Sequence, residues 1–164
     1  MFFMNQHPCI RLLIAEDHPM TREGLCAVIS RRDDMQVVGE ASHGLEAVDL
    51  YRLHTPDVVL MDMSMPQMDG LQTTRTILAE FPAARIIIFS NWDGDETVYQ
   101  AMRAGAKAYL LKDALAAVLL ETIEAVASGQ TVLQGALAAK ATRNNCRTNS
   151  NAILISFEAA RSCD

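Results

Sequence analysis

The chain has 164 residues, half of them hydrophobic, with a formal net charge of −6 and a pI near 5.1. This length fits one domain of common size with some excess, and the apolar content is enough for a sizeable core. The acidic balance excludes a broad nucleic-acid-binding face, because neutralising phosphates takes clustered Lys and Arg. Cys9, Cys26, Cys146 and Cys163 are scattered without zinc spacing and read as reduced thiols in a cytoplasmic protein. The opening MFFMNQHPC has no basic stretch ahead of a long apolar run, so no signal peptide is expected. No stretch approaches the roughly 18 apolar residues of a membrane span.

The first apolar run, RLLIA at 11–15, ends at the acidic pair Glu16-Asp17. Helical spacing follows at Met20, Gly24, Leu25, Val28 and Ile29. A second run, MQVVGEA at 35–41, precedes a helix read from Leu45, Val48 and Leu53, with Ala47 and Leu50 flanking. The third run, VVLMD at 58–62, ends at Asp62. The next helix is expected from Leu71 to Phe81, stopping before Pro82, which cannot continue it. RIIIFS at 85–90 ends at Ser90, and a helix over 96–104 stops at Gly105. AKAYLLK at 106–112 ends at Lys112. The clearest stripe follows: Leu115, Val118, Leu119, Thr122, Ile123 and Val126, ending at Gly129.

The runs are continuous rather than alternating, as in strands buried on both faces of a parallel sheet. Five such runs alternating with helices imply right-handed crossovers and an α/β, doubly wound, five-stranded parallel sheet flanked by five helices. Past Gly129 the pattern changes. TVLQGALAAK (131–140) reads as a short extended piece and a helical turn, and the Asn-rich ATRNNCRTNSN (141–151) as linker or disorder. The closing AILISFEAARSCD is too short to bury a core of its own. A folded unit over 10–129 and a linker-like tail over 130–164 are therefore expected.

In a doubly wound sheet, ligands bind outside the carboxyl ends of the strands. Glu16, Asp17, Asp62, Ser90 and Lys112 all close apolar runs and would share that edge. Three carboxylates brought together repel unless a cation sits among them, and hard divalent ions take such oxygen ligands. Magnesium fits, and the arrangement suggests an aspartate that accepts a phosphoryl group. The acid pair also has a plainer reading, as helix N-terminal acids favoured by the dipole or a cap from Asp17, which is compatible with metal binding.

Residues 10–129 resemble the receiver domain of two-component response regulators. The matching pieces are Glu16-Asp17, Asp62 followed by MSMPQMDG (63–70), Ser90 after an apolar strand, and AGAKAYLLKD (104–113). DVVLMDMSMPQMDGL and AGAKAYLLKDA look most like the NarL/FixJ subfamily, which usually carries a LuxR-type helix-turn-helix domain. The resemblance implies a flavodoxin-like strand order of 2-1-3-4-5. It implies that Asp62 is the phosphoacceptor for a sensor histidine kinase, attacking its phosphohistidine. It implies that Glu16, Asp17, Asp62 and the Ser64 backbone carbonyl hold Mg²⁺, and that Lys112 stabilises the transferred charge. Ser90 would contact the phosphoryl oxygen, and Tyr109 would be the switch aromatic, moving between exposed and buried positions. Simple packing at a strand edge is the plainer reading of Tyr109. His18 reads as a loop residue rather than a ligand, and Pro66 and Gly70 as shapers of the loop after Asp62.

Two departures from the family pattern stand out. Asn91 and Trp92 follow Ser90, where a small residue is common next to the serine, and they affect access to the site. The stretch after Gly129 is also too short for a LuxR-type domain and lacks its opening phrase, so direct specific DNA binding is not expected. The chain then reads as a stand-alone receiver or a truncated regulator, acting as a homodimer or through dimerisation with a full-length relative. A Mg²⁺-dependent aspartyl phosphohydrolase is a competing reading, but haloacid-dehalogenase-type enzymes need an acid where this chain has Ser64. A phosphorylation switch that is not a turnover enzyme is the leading expectation.

Overall fold

The computed structural model describes residues 8–133. Strands β1 (Ile10–Ala15), β2 (Met35–Ala41), β3 (Val58–Asp62), β4 (Ile86–Ser90), β5 (Ala108–Leu111) and β6 (Val132–Leu133) form one parallel sheet in the order 2-1-3-4-5-6. Helices α1 (Pro19–Ile29), α2 (Gly44–His54), α3 (Gly70–Glu80), α4 (Asp95–Arg103) and α5 (Ala116–Ala127) connect them. β3 and β4 are buried along their whole length, which is why their sequences are unbroken apolar runs. The core has two layers. One holds Leu13, Met61, Ile77, Ile88 and Val98 under α2, α3 and α4; the other holds Leu12, Ile14, Leu25, Leu60 and Ile123 under α1 and α5.

Among the described residues the sheet has six strands, one more than expected. Val132 N–H donates to Lys107 O at 2.7 Å, and Leu133 lies opposite Tyr109. Without this pairing β5 would present an open edge, and a short parallel return from α5 covers it. The extended piece anticipated after Gly129 is thus present, but two residues are too few to print a strand pattern. The expected helical turn, linker and terminal cluster lie outside the described residues.

The α2 stripe also differs. Its buried face is Gly44, Ala47, Val48 and Tyr51, while Leu45 and Leu53 are exposed. The reason is the closeness of α2 and α3: a Cβ on Gly44 would stand 2.3 Å from Thr73 Oγ1. A seam of small residues carries little hydrophobic signal. Tyr51 then packs its ring on Phe81 with centroids 4.9 Å apart. Met20 and Leu115, assigned to the stripes of α1 and α5, are exposed, Met20 in the first turn of α1 and Leu115 at the N-cap of α5. α3 opens one residue earlier than read, at Gly70, with the Asp69 side chain accepting from Gln72 N–H at 2.8 Å.

Gly70 ties α3 to the end of β3. Its N–H donates to Met63 O at 3.0 Å, and a Cβ there would lie 2.2 Å from Asp62 O and 2.9 Å from Met63 Cα. These are backbone atoms and cannot swing aside. Gly70→Ala is therefore expected to destabilise the fold by about 1–3 kcal/mol, as overpacking does. Urea denaturation checks this, and an unchanged midpoint would show that the β3–α3 junction yields easily.

Candidate functional site

The carboxyl ends of β1, β3, β4 and β5 lie next to one another in the sheet, and four of the five residues expected there, Glu16, Asp17, Asp62 and Lys112, line one open cleft of about 480 Å³, while Ser90 is buried and does not line it. Ser64 and Trp92 also line the cleft. Ligand oxygens of Glu16, Asp17 and Asp62 all lie within 4.8 Å of one another. Glu16 and Asp62 are buried, while Asp17 is exposed to the cleft. Lys112 Nζ lies 2.7 Å from Glu16 Oε2 and 3.1 Å from Asp62 Oδ1. The Glu16 contact lacks the directionality of a hydrogen bond and is an ion pair by proximity. The ammonium also stands 5.9 Å from the centroid of the Phe89 ring.

One lysine does not neutralise three acids. Burial, and then the facing Glu16 carboxylate, push the Asp62 carboxyl up to about 6, although Lys112 and the Ser64 N–H pull it down. That N–H donates to Asp62 Oδ1 at 3.2 Å. Burial works against the Lys112 charge, but its close contacts with the Glu16 and Asp62 carboxylates outweigh it and raise the amine's pKa. The site therefore has excess negative charge, hard oxygen donors and an opening to solvent. That set fits Mg²⁺, which prefers few carboxylates and retained waters.

Ser90 is buried at the end of β4, and its Oγ accepts from Trp92 N–H at 3.1 Å. Tyr109 is fully buried, and its hydroxyl donates to Trp92 O at 2.6 Å. Both the N–H and the carbonyl of Trp92 are thus gripped, while the residue as a whole is 64% exposed at the cleft. Tyr109 stands in the buried one of its two expected positions, opposite Ile88 and Leu133.

The N-cap of α1 is His18, not Asp17, and the His18 N–H donates to Glu16 Oε1 at 3.1 Å. The Arg22 guanidinium donates to Glu16 O at 2.8 Å. Neither contact was legible in the sequence. His18 acts through its main chain, which has no residue signature, and Arg22 reads as an ordinary helix-surface cation. The grip on Trp92 went unread for the same reason.

Residues 12–124 match the family model described as the response regulator receiver domain. The chain is 41% identical over 133 residues to the nitrate/nitrite response regulator protein NarL of Escherichia coli K12, covering 81% of this chain and 61% of that protein. It is 40% identical over 131 residues to the uncharacterized transcriptional regulatory protein YxjL of Bacillus subtilis, covering 80% and 60%. It spans about three fifths of the length of both relatives. Among solved structures, it superposes on a LuxR-family two-component response regulator from Aurantimonas sp. SI85-9A1 with a TM-score of 0.77 at 36% identity, covering 84% of this chain and 98% of that one. The signal receiver domain of the putative response regulator NarL from Mycobacterium tuberculosis gives a TM-score of 0.73 at 35% identity, covering 75% and 99%. The sheet order, the acid-lined carboxyl edge and these matches agree: the chain belongs to the response regulator receiver domain family of two-component systems, with NarL/LuxR-type regulators among its relatives.

Proposed function

We propose that residues 10–129 form a cytoplasmic receiver unit in which Asp62 accepts a phosphoryl group from the phosphohistidine of a sensor histidine kinase. The observation that carries this reading is the buried Asp62 carboxylate, 3.1 Å from Lys112 Nζ and grouped with two further acids at the sheet's carboxyl edge. An Asp62 oxygen forms a bond to phosphorus as the nitrogen–phosphorus bond breaks, and the imidazole keeps the electron pair. Lys112 is positioned to offset the negative charge carried to Asp62. Glu16, Asp17, Asp62 and the Ser64 carbonyl would hold Mg²⁺, which supplies charge neutralisation on the phosphoryl oxygens when bound. Ser90 would exchange its bond to Trp92 for one to the new phosphoryl group. The Trp92 peptide would then be freed on one side, and the burial of Tyr109 would respond.

Such a protein is a switch for partners, itself included as a homodimer or a dimer with a full-length regulator, and not a turnover enzyme. The transcriptional role in the name of the Bacillus subtilis relative is not carried over, because the described residues make up one α/β sandwich centred on this site. Among those residues no helix is long and apolar enough to cross a membrane. Incubation with a small phosphodonor and Mg²⁺, followed by intact-mass measurement, tests the proposal. One added phosphate that maps to Asp62 is expected. Release of many equivalents of phosphate per protein would favour a phosphohydrolase instead.

The metal assignment has its own test. Asp17→Ala is expected to weaken Mg²⁺ binding by about tenfold or more, equal to about 1.4 kcal/mol, because the site offers few protein ligands. The same change should leave the metal-free fold equally or more stable, since it relieves crowding of like charge. Calorimetric titration and thermal melts read the two effects. An unchanged affinity would put the metal elsewhere.

A further inference from the structure

Glu16 has four polar atoms, and each of them is held. Its N–H donates to Ala41 O at 3.0 Å, its Oε1 accepts from His18 N–H at 3.1 Å, and its Oε2 lies 2.7 Å from Lys112 Nζ. The fourth, the carbonyl, accepts from Arg22 Nη1 at 2.8 Å. Arg22 stands on the first turns of α1, and its Nε lies 3.3 Å from Glu40 Oε2 on the neighbouring strand β2. The guanidinium therefore spans from β2 to the peptide that joins Glu16 to Asp17. The orientation of that peptide sets the direction in which Asp17 leaves the strand. Asp17 itself is exposed and has no cap contact to anchor it.

We infer that Arg22 is a positioning residue for the metal site: braced by Glu40, it holds the Glu16 carbonyl and so aims the Asp17 carboxylate at the ion. Arg22 touches neither the metal nor the phosphoryl group. Its effect passes through one peptide plane, as the outer partners of metal ligands commonly act. The inference rests on the proposed Mg²⁺ site.

Charge and positioning predict opposite signs, which makes the test sharp. Removing a cation near a cation site should tighten Mg²⁺ binding on Coulomb grounds alone. If Arg22 positions Asp17, its removal should loosen binding. The experiment titrates the full chain, wild type and Arg22→Met, with Mg²⁺ alone, followed by the fluorescence of its single tryptophan and by calorimetry. Arg22→Met is expected to raise the Mg²⁺ dissociation constant about tenfold. Glu40→Ala, which keeps the guanidinium but removes its brace, should give a smaller rise, and the double variant should add little to Arg22→Met alone. Metal-free thermal melts separate this from general damage to the fold. If Arg22→Met does not fold, Arg22→Gln takes its place, since it also removes the cation: a raised dissociation constant supports the inference and an equal or lower one overturns it. Equal or tighter binding by a folded Arg22→Met also overturns it while leaving the metal site intact. A wild type that binds no Mg²⁺ overturns the metal site and this inference together.

Discussion

Lys112→Met is expected to destabilise the fold by about 2–4 kcal/mol at pH 7, somewhat below the 3–5 typical of breaking a buried pair, because Asp62 can take up a proton. Lys112 is the cation 2.7 Å from Glu16 and 3.1 Å from Asp62, and both acids are buried. Methionine keeps most of the stem and loses the ammonium that faces both acids and the Phe89 ring, so the loss reports the charge. Without the ammonium, Asp62 has only the Ser64 N–H opposing the burial and the Glu16 charge that raise its pKa. The variant should accordingly lose more stability at pH 8 than at pH 5, where a protonated Asp62 relieves the repulsion. Denaturant titrations at the two pH values check this. A variant as stable as wild type at pH 8 would mean that water reaches the carboxylates freely.

Asp62→Asn has the opposite expected sign on stability and a complete effect on chemistry. The folded carboxyl sits at about 6 against an ordinary value of 3.8. A group whose pKa rises on folding contributes its full stability below the unfolded value and loses it as pH climbs through the folded value. For Asp62 that window runs from about pH 4 to about pH 6, and at pH 7 the ionised side chain is a net cost. Asparagine keeps the shape and can still accept from Ser64 N–H, but it carries no charge. In metal-free buffer at pH 7 the variant should be more stable by about 1–3 kcal/mol, with the gap closing toward pH 4. Added Mg²⁺ should narrow the gap by stabilising the wild type. Labelling by a phosphodonor should vanish. A variant less stable than wild type at pH 7 would show that the pairing with Lys112 outweighs burial, and full labelling would remove Asp62 from its proposed role.

Much of this protein is legible in its amino-acid sequence. The interior strands print continuous apolar runs because both faces are covered, and each run ends where its strand leaves the core. The polar residue at that point, whether Asp62, Ser90 or Lys112, is thereby marked as lying at the carboxyl edge. Gly105 and Gly129 mark helix ends because both adopt positive φ, 104° and 94°, where side chains are disfavoured. The parallel sheet follows from the alternation of strands and helices, so a shared carboxyl edge for Glu16, Asp17, Asp62, Ser90 and Lys112 could be deduced from local pattern and handedness, while the strand order that sets them side by side was implied by the family resemblance.

Other features depended on the tertiary structure. The buried face of α2 runs through Gly44, Ala47 and Tyr51 because α3 comes close enough to need small residues, and hydrophobicity along α2 does not report that distance. β6 exists because β5 needs an edge partner, a demand made by the sheet and not by two residues of sequence. The grips on Glu16 from Ala41, Arg22 and His18, and on the Trp92 peptide from Ser90 and Tyr109, run largely through main-chain atoms. Such atoms are the same in every residue, so periodicity and composition are silent about them. The sequence by itself determined which side chains reach the site. How firmly each is held was decided by backbone groups that only the folded chain brings within reach.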